Sequence, residues 1–325
     1  MEQKKIKKIG ILTSGGDAPG MNAAVRAVVR AGIDKGLHIY GIRRGYSGLI
    51  SGDIFEMNLR SVCDIINRGG TVLYTARCPE FKTEEGMAKA IETCRKVGID
   101  GLVVIGGDGS FRGARDLSVR GLPCVAIPGT IDNDIAATEY TIGFDTAINT
   151  VVEMVDRIRD TSQSHDRCSV VEVMGRGAGD IALHAGVACG ALSILVPEAP
   201  FDFQKDVVEK MHHTLKSGKH HFIIIVAEGV GNSEELTRRI ENETGIVSRL
   251  TVLGHVQRGG TPTATERVNA SRLGYRAVEL LLSGISNRVI GLNCGRITDI
   301  DIVEALQMEK QFDWDLYNIA NAISI

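Results

Sequence analysis

The strongest constraint on this chain is a repeated order: a short apolar run, a glycine-rich turn, then a helical stretch. Residues 9–13 read as a strand, 14–20 as its turn and 21–35 as a helix. Further strands are expected at 37–42, 71–74, 101–105 and 123–127, with helices at 61–68, 84–97 and 111–120 and a turn at 45–48. An irregular stretch at 135–144 and a helix at 146–161 follow, and then the alternation restarts. Strands are expected at 169–173, 191–196 and 222–227, and helices at 180–188 and 204–215. A helix at 264–283, a strand at 289–292 and a helical tail at 312–322 complete the reading. Continuous apolar strands alternating with helices predict parallel sheets covered on both faces. The restart predicts a second α/β domain.

Composition removes several classes of function. The 325 residues suit one large or two ordinary domains, and 43% hydrophobic content supplies a core. A formal charge of -3 and a single tryptophan, Trp314, give no footing for nucleic acid or an anionic membrane as partner. Seven cysteines without a CxxC pair argue against a disulfide framework or a zinc ribbon and fit a reducing cytoplasm. The basic start, residues 1–8, precedes only a short apolar run that Gly15-Gly16-Asp17 breaks, so no secretory leader is expected. No apolar run is long enough to span a bilayer.

In α/β sheets ligands bind outside the carboxyl ends of the strands, and the polar residues of this chain concentrate there. Pro128-Gly129-Thr130-Ile131-Asp132-Asn133-Asp134 follows the 123–127 strand. Two carboxylates two residues apart face one way if that segment is extended. They then suit metal binding, proton abstraction or both, although Asp, Asn and Thr also cap strand-end turns. The 13–20 turn exposes backbone N–H groups at a helix start, where an anion is favoured. It is neither a Walker A loop nor a GxGxxG fingerprint. Gly106-Gly107-Asp108-Gly109-Ser110 follows the most apolar strand; its small residues admit a bulky ligand and Asp108 can reach a phosphate-bound Mg²⁺, or cap the next helix. Arg77, Arg176, Glu228, His255 and Arg258 also lie just past strand-like runs, where arginines can grip phosphate bidentately.

Five motifs together carry a resemblance. Thr13-Ser-Gly-Gly-Asp-Ala-Pro-Gly-Met-Asn22, Ile105-Gly-Gly-Asp-Gly-Ser110, Pro128-Gly-Thr-Ile-Asp-Asn-Asp134, Val171-Glu-Val-Met-Gly-Arg176 and Leu253-Gly-His-Val-Gln-Arg-Gly-Gly260 resemble the ATP-dependent 6-phosphofructokinases of bacterial type, in order and over nearly the whole chain. The resemblance implies an α/β fold of two Rossmann-like three-layer domains with mainly parallel sheets and the active site in the cleft between them. It places an ATP domain at 1–143 and 257–307 and a fructose 6-phosphate domain at 144–256 and 308–325. It implies a cytoplasmic, allosteric homotetramer that phosphorylates fructose 6-phosphate at the committed step of glycolysis. ATP is then the co-substrate, held by Gly16, Arg77, Cys78, Gly107, Asp108, Gly109 and Ser110. Asp108, and less directly Asp134, serve Mg²⁺. Thr130, Ile131, Asp132, Met174, Gly175, Arg176, Glu228, His255, Val256, Gln257 and Arg258 hold the sugar phosphate. Arg167 and Arg249 match arginines that reach it from a neighbouring subunit. Asp132 matches the general base, with Gly16, Thr130 and Arg176 assisting catalysis.

Pyrophosphate-dependent relatives typically carry Asp where Gly109 stands and Lys where Gly129 stands, so both glycines imply ATP. The resemblance breaks down at the effector site, which takes ADP or phosphoenolpyruvate. Arg26, Arg30, Asp64, Arg159, Lys219 and His221 match it, and Arg26 and Arg30 share a helix face. Leu59 and Ser217 replace arginines, Leu192 replaces an acid and His220 replaces a lysine, so weakened effector control is expected; Arg60 stands beside the lost charge at 59. The pairs His212-His213 and His220-His221 face different ways on a helix and make no metal site. The competing readings are a pyrophosphate-dependent homologue, a dinucleotide or lipid kinase sharing GGDG, and a non-catalytic sugar-phosphate or nucleotide sensor. The last has little need of Asp108, Asp132 and Asp134 together.

Overall fold

The computed structural model describes residues 6–324. Most of the basic start, residues 1–5, lies outside the described residues, as does 325. The chain runs β1 (Lys8–Thr13), α1 (Met21–Asp34), β2 (His38–Ile42), α2 (Gly45–Ser51), β3 (Ile54–Met57), α3 (Glu84–Val97), β4 (Gly101–Gly106), α4 (Asp108–Val119), β5 (Cys124–Pro128) and α5 (Phe144–Ser164). It continues with β6 (Cys168–Val173), α6 (Asp180–Cys189), β7 (Ser193–Leu195), α7 (Lys210–Lys216), β8 (Phe222–Ala227), α8 (Ser233–Thr244) and β9 (Ser248–Val252). The last elements are α9 (Ala264–Leu282), β10 (Arg288–Asn293), β11 (Arg296–Asp301), α10 (Ile302–Ala305) and α11 (Trp314–Ile323). Two compact units result: Met1–Thr146 with Arg258–Lys310, and Ala147–Gln257 with Gln311–Ile325.

The first unit holds a seven-stranded sheet in the order β11-β10-β5-β4-β1-β2-β3. Its five central strands are parallel, and only the edges β3 and β11 run antiparallel. All of β4 is buried. Leu102 and Val104 join Met87, Ala90, Phe111 and Leu117 of α3 and α4 in one core cluster. Val103 and Ile105 point to the opposite face, and they are fully buried too. On α1, Val25, Val28 and Val29 are fully buried, each contributing about 1.5–3 kcal/mol. Helices α1 and α9 pack closely, because a side chain on Gly274 would stand 2.7 Å from the Ala24 carbonyl oxygen.

The second unit holds a four-stranded, all-parallel sheet in the order β7-β8-β6-β9. Strand β8 is buried at every position. Phe222, Ile224 and Val226 pack with Val207, Met211, Leu236 and Ile240 on one face. No helix among the described residues is long and apolar enough to cross a membrane.

Several expectations need correction. Residues 61–68 are not a helix: a 3-10 turn over Leu59–Val62, capped by Asn58, ends before Asp64, whose φ is 52°. Residues 71–74 form a turn rather than a strand, with Tyr74 at φ 57°. Residues 45–48 open helix α2 instead of a loop, between left-handed Arg44 and Gly52. The edge strands β3, β9 and β11 and the polar helix α8 carry too few buried apolar residues to stand out in the sequence.

Candidate active site

In the first unit three turns leave adjacent parallel strands, β1, β4 and β5, at their carboxyl ends. Ser14 N–H donates to Ile105 O at 2.9 Å and Gly129 N–H to Gly106 O at 2.9 Å, so the turns start side by side. Gly15 and Gly16 are exposed. A side chain at Gly16 would displace the Arg258 guanidinium. Arg258 Nη1 also donates to Asp17 O at 3.2 Å, which ties it to the nucleotide-type turn. Gly107 and Asp108 open α4, and Ser110 is buried at 4% exposure beneath them. Asp108 is the first helical residue rather than the N-cap; its carboxylate accepts from Arg112 Nε at 3.0 Å. A side chain added at Gly109 meets nothing within 4 Å, so this turn has open space above it.

The segment carrying Arg77 and Cys78 is fixed by polar groups to which the sequence reading assigned no role. Thr13 Oγ1 lies 2.8 Å from Thr71 Oγ1 and donates to Tyr74 O at 2.9 Å. Asn22, 1% exposed on α1, donates to Arg68 O and Gly69 O and accepts from Val72 N–H at 2.8 Å. Thr75 Oγ1 donates to Gly15 O at 2.6 Å. Arg77 is left exposed and Cys78 half-buried. Tyr46 stacks on Phe81 and donates to Ser110 O at 2.6 Å; burial pushes its phenol well up. Asn22 closes the first of the five motifs, and an amide on the apolar face of α1 is a second signal for it.

The 128–134 segment is a turn, not an extended strand. Asn133 has φ 53°, so Asp132 and Asp134 do not share the alternation of an extended chain. Asp132 is buried at 1% exposure; Thr130 Oγ1 accepts from its N–H and donates to its Oδ2, both at 3.2 Å. Ile131 is fully buried and offers a ligand only its backbone. Asp134 is half-buried. Among the described residues no group of three or more His, Cys, Asp or Glu could hold a metal by itself. Two hard oxygen donors such as Asp108 and Asp134 suit Mg²⁺ when phosphates and water complete its shell.

In the second unit, Met174, Gly175 and Arg176 follow β6, and Arg176 is exposed at φ 54°. Glu228, after β8, accepts from Gly175 N–H at 3.2 Å and Arg176 N–H at 2.7 Å, so one of its oxygens already braces this turn. Gly175 sits at φ 141°, and a side chain there would strike Ala178 O. His255 and Val256 are exposed. Gln257 is fully buried; Oε1 accepts from Met174 N–H at 3.2 Å and Nε2 donates to Gly254 O at 3.0 Å. Its side chain braces the turn that carries Met174. Arg167 and Arg249 sit at the opposite, amino end of the same sheet, where Ser169 pairs with Arg249. Six residues of β6 separate Arg167 from Met174, a span of about 20 Å.

The effector-type residues divide between the units. Arg26 and Arg30 lie on α1 and Asp64 in the turn after Val62. Arg159, Lys219 and His221 are brought close together: burial and the Arg159 charge lower Lys219, and burial, Lys219 and Arg159 lower His221. His220 is exposed. Leu192 is 1% exposed in the core, Leu59 is 49% exposed, and Ser217 Oγ donates to Thr214 O at 2.7 Å at the end of α7.

Mostly parallel sheets with glycine turns and aspartates at adjacent carboxyl ends define an α/β protein built to handle a phosphorylated ligand. The Phosphofructokinase family model matches residues 8–281. An ATP-dependent 6-phosphofructokinase of Clostridium tetani (strain Massachusetts / E88) is 60% identical over 319 residues, 98% of this chain and 100% of the relative. A phosphofructokinase structure from Saccharomyces cerevisiae matches with a TM-score of 0.87 at 37% identity, covering 98% of this chain and 46% of that one. A pyrophosphate-dependent phosphofructokinase from Marinobacter aquaeolei matches with a TM-score of 0.86 at 22% identity, over 95% of this chain and 86% of that one, and shares the fold alone. The chain belongs to the phosphofructokinase family.

Proposed function

We propose that this chain transfers the γ-phosphoryl group of ATP to the 1-hydroxyl of fructose 6-phosphate, giving fructose 1,6-bisphosphate and ADP, as a step of glycolysis. The observation that carries the proposal is the side-by-side start of the three turns bearing Gly16, Asp108 and Asp132 on β1, β4 and β5. Phosphoryl transfer asks mainly for positioning, a base and countercharge. Asp132 takes the 1-hydroxyl proton as that oxygen bonds to phosphorus; the bond from phosphorus to the ADP oxygen breaks and the electron pair leaves with ADP. Thr130 holds the Asp132 carboxylate in place. The Gly16 N–H, Arg77 and Arg176 offset charge on the moving group.

Gly107, Gly109, Ser110 and Cys78 shape the nucleotide side. Ile131 backbone, Met174, Gly175, Arg176, Glu228, His255, Val256 and Arg258 hold the sugar phosphate, and Gln257 keeps the Met174 turn in place. Asp108 and Asp134 would hold Mg²⁺, which supplies countercharge to the nucleotide phosphates when bound. Arg112 must then release Asp108.

Arg167 and Arg249 lie too far along β6 and β9 to join Met174 and Arg176 of the same chain, which favours their service to a second copy and a homotetramer. All seven cysteines are free, which favours the cytoplasm. Control by ADP or phosphoenolpyruvate is weakened, because buried Leu192 offers no metal ligand and Leu59 and Ser217 no phosphate contact.

A coupled assay offering ATP and pyrophosphate separately with fructose 6-phosphate tests the reaction. Turnover with ATP is expected. Turnover with pyrophosphate alone overturns the choice of donor, and none with either overturns the kinase reading. Titration of phosphoenolpyruvate at subsaturating sugar phosphate tests the effector reading, which tight inhibition contradicts.

A further inference from the structure

Glu266, in the first turn of α9, is an acid with no exposed surface. Its oxygens collect at least four donors, one of them the Gly143 N–H. The Tyr140 hydroxyl donates to Oε1. Oε2 accepts from Thr146 N–H at 3.1 Å and Thr146 Oγ1 at 3.0 Å. Thr146 lies in the first turn of α5, where backbone N–H groups lack helical partners. Gly20, the N-cap of α1, also abuts the acid, because a side chain there would stand 2.7 Å from Glu266 Cγ. Three helix starts thus converge on one buried carboxyl, each favouring negative charge.

The segment that runs through Tyr140 to Thr146, with Glu139 before it, in turn supports the Asp132 turn. Thr141 Oγ1 donates to Thr130 O at 2.6 Å, and Ile142 N–H to Pro128 O at 2.9 Å. Asn133 Nδ2 donates to Glu139 O at 3.3 Å. Gly143, at φ 109°, packs where a side chain would lie 3.1 Å from Ile131 Cγ2. We propose that Glu266, as a carboxylate acting through Tyr140 and Thr146, is the positioning residue that holds residues 139–143 beneath the 128–134 turn and so fixes Asp132. Only the catalytic consequence rests on the phosphoryl-transfer reading.

The hydrogen bonds fit the ionised acid. Asn269 donates to the Tyr140 oxygen, which leaves the phenol proton for Glu266. The other acid nearby is Asp145, which accepts from the Thr263 hydroxyl and raises the Tyr140 phenol further. Burial pushes Glu266 up to about 7 against the pull of its donors. A proton on Glu266 sets a hydrogen against one of these donors and loosens the brace locally, while it relieves the larger cost of burying the charge.

Glu266→Gln and Tyr140→Phe in the full chain test the proposal; Tyr140→Phe keeps the acid and carries the test if the first variant fails to fold. Amide exchange is read at Asp132 and Ile142, with β8 as the internal reference. Exchange at those two sites is expected to quicken at least about tenfold while β8 keeps its wild-type rate. In the ATP and fructose 6-phosphate assay, kcat is expected to fall about tenfold with both KM values within about twofold. The acid limb of kcat is expected to flatten in Glu266→Gln. Unchanged exchange at Asp132 and Ile142 overturns the proposal. So does equal quickening everywhere with an unaltered pH profile, which marks a merely structural acid. A wild-type chain with no turnover removes the kinase reading, and exchange still decides the positioning role.

Discussion

Asp132 is buried at 1% exposure and anchored on the Thr130 hydroxyl, so its carboxylate has one defined position. Replacing Asp132 by Asn keeps shape and removes the proton acceptor. Turnover is expected to fall about 10²–10⁴-fold in a steady-state assay, and near wild-type kcat rules out the base role. The two donor-linked glycines separate at the same scale. A side chain at Gly129 would lie 3.0 Å from both Ile105 Cγ2 and Met21 Cε, so a larger residue there must push these side chains aside. Gly129→Lys is expected to cost about 1–3 kcal/mol in urea unfolding. Gly109 faces open space near the start of α4. Gly109→Asp is expected to fold as well as the wild type while raising KM for ATP by at least about tenfold through charge repulsion. An unchanged KM contradicts the nucleotide assignment of that turn. The identity of these residues was legible from the motifs, whereas the burial of Gln257 and the turn at Asn133 were not. Both depend on partners distant in sequence or on backbone angles that no periodicity encodes.

At the scale of elements, legibility follows burial. Strands β4 and β8 are apolar at every position because both faces are covered, and each was readable from its residues alone. Strand β9 buries only Ser248 fully, and α8 shows little more than Leu236, Thr237 and Ile240 to the core, so neither has a clear apolar signature. The 61–68 stretch has helix-like spacing, yet side chains override it: Asn22 captures the Arg68 and Gly69 carbonyls. The junction of α1, α5 and α9 was invisible for a similar reason, since Glu266 in sequence looks like any charge in a helix's first turn. Its burial has a consequence for stability. Glu266 is raised from 4.5 to about 7 on folding, mainly by burial. A raised acid holds its proton more tightly when folded, so its contribution is complete below 4.5 and is lost as pH rises through about 7. The full swing is at most about 3 kcal/mol. Urea midpoints of wild type and Glu266→Gln at pH values across that window are expected to diverge in slope, the wild type falling more steeply with rising pH. Parallel slopes mean that Glu266 does not titrate there.

For the whole molecule the decisive fact is a direction. Strands β6 and β9 are parallel, so Arg167 and Arg249 mark their amino ends while the 174–176 and 254–258 turns mark their carboxyl ends. A side chain of arginine cannot bridge six residues of strand, about 20 Å. If these arginines serve the sugar phosphate, they serve another copy's site, and one site then needs two chains. Arg167→Ala and Asp132→Asn should each be inactive alone, for different reasons in different copies. When the two variants are denatured together and reassembled, a site can form from the intact Asp132 of one and the intact Arg167 of the other. Random pairing yields one such site in every mixed pair, about a quarter of wild-type turnover. Mixing the folded variants without dissociation should restore nothing. Recovery absent after reassembly, with normal oligomer size by sedimentation, means that Arg167 does not serve another copy's site, and Arg167→Ala active on its own places that arginine outside the reaction.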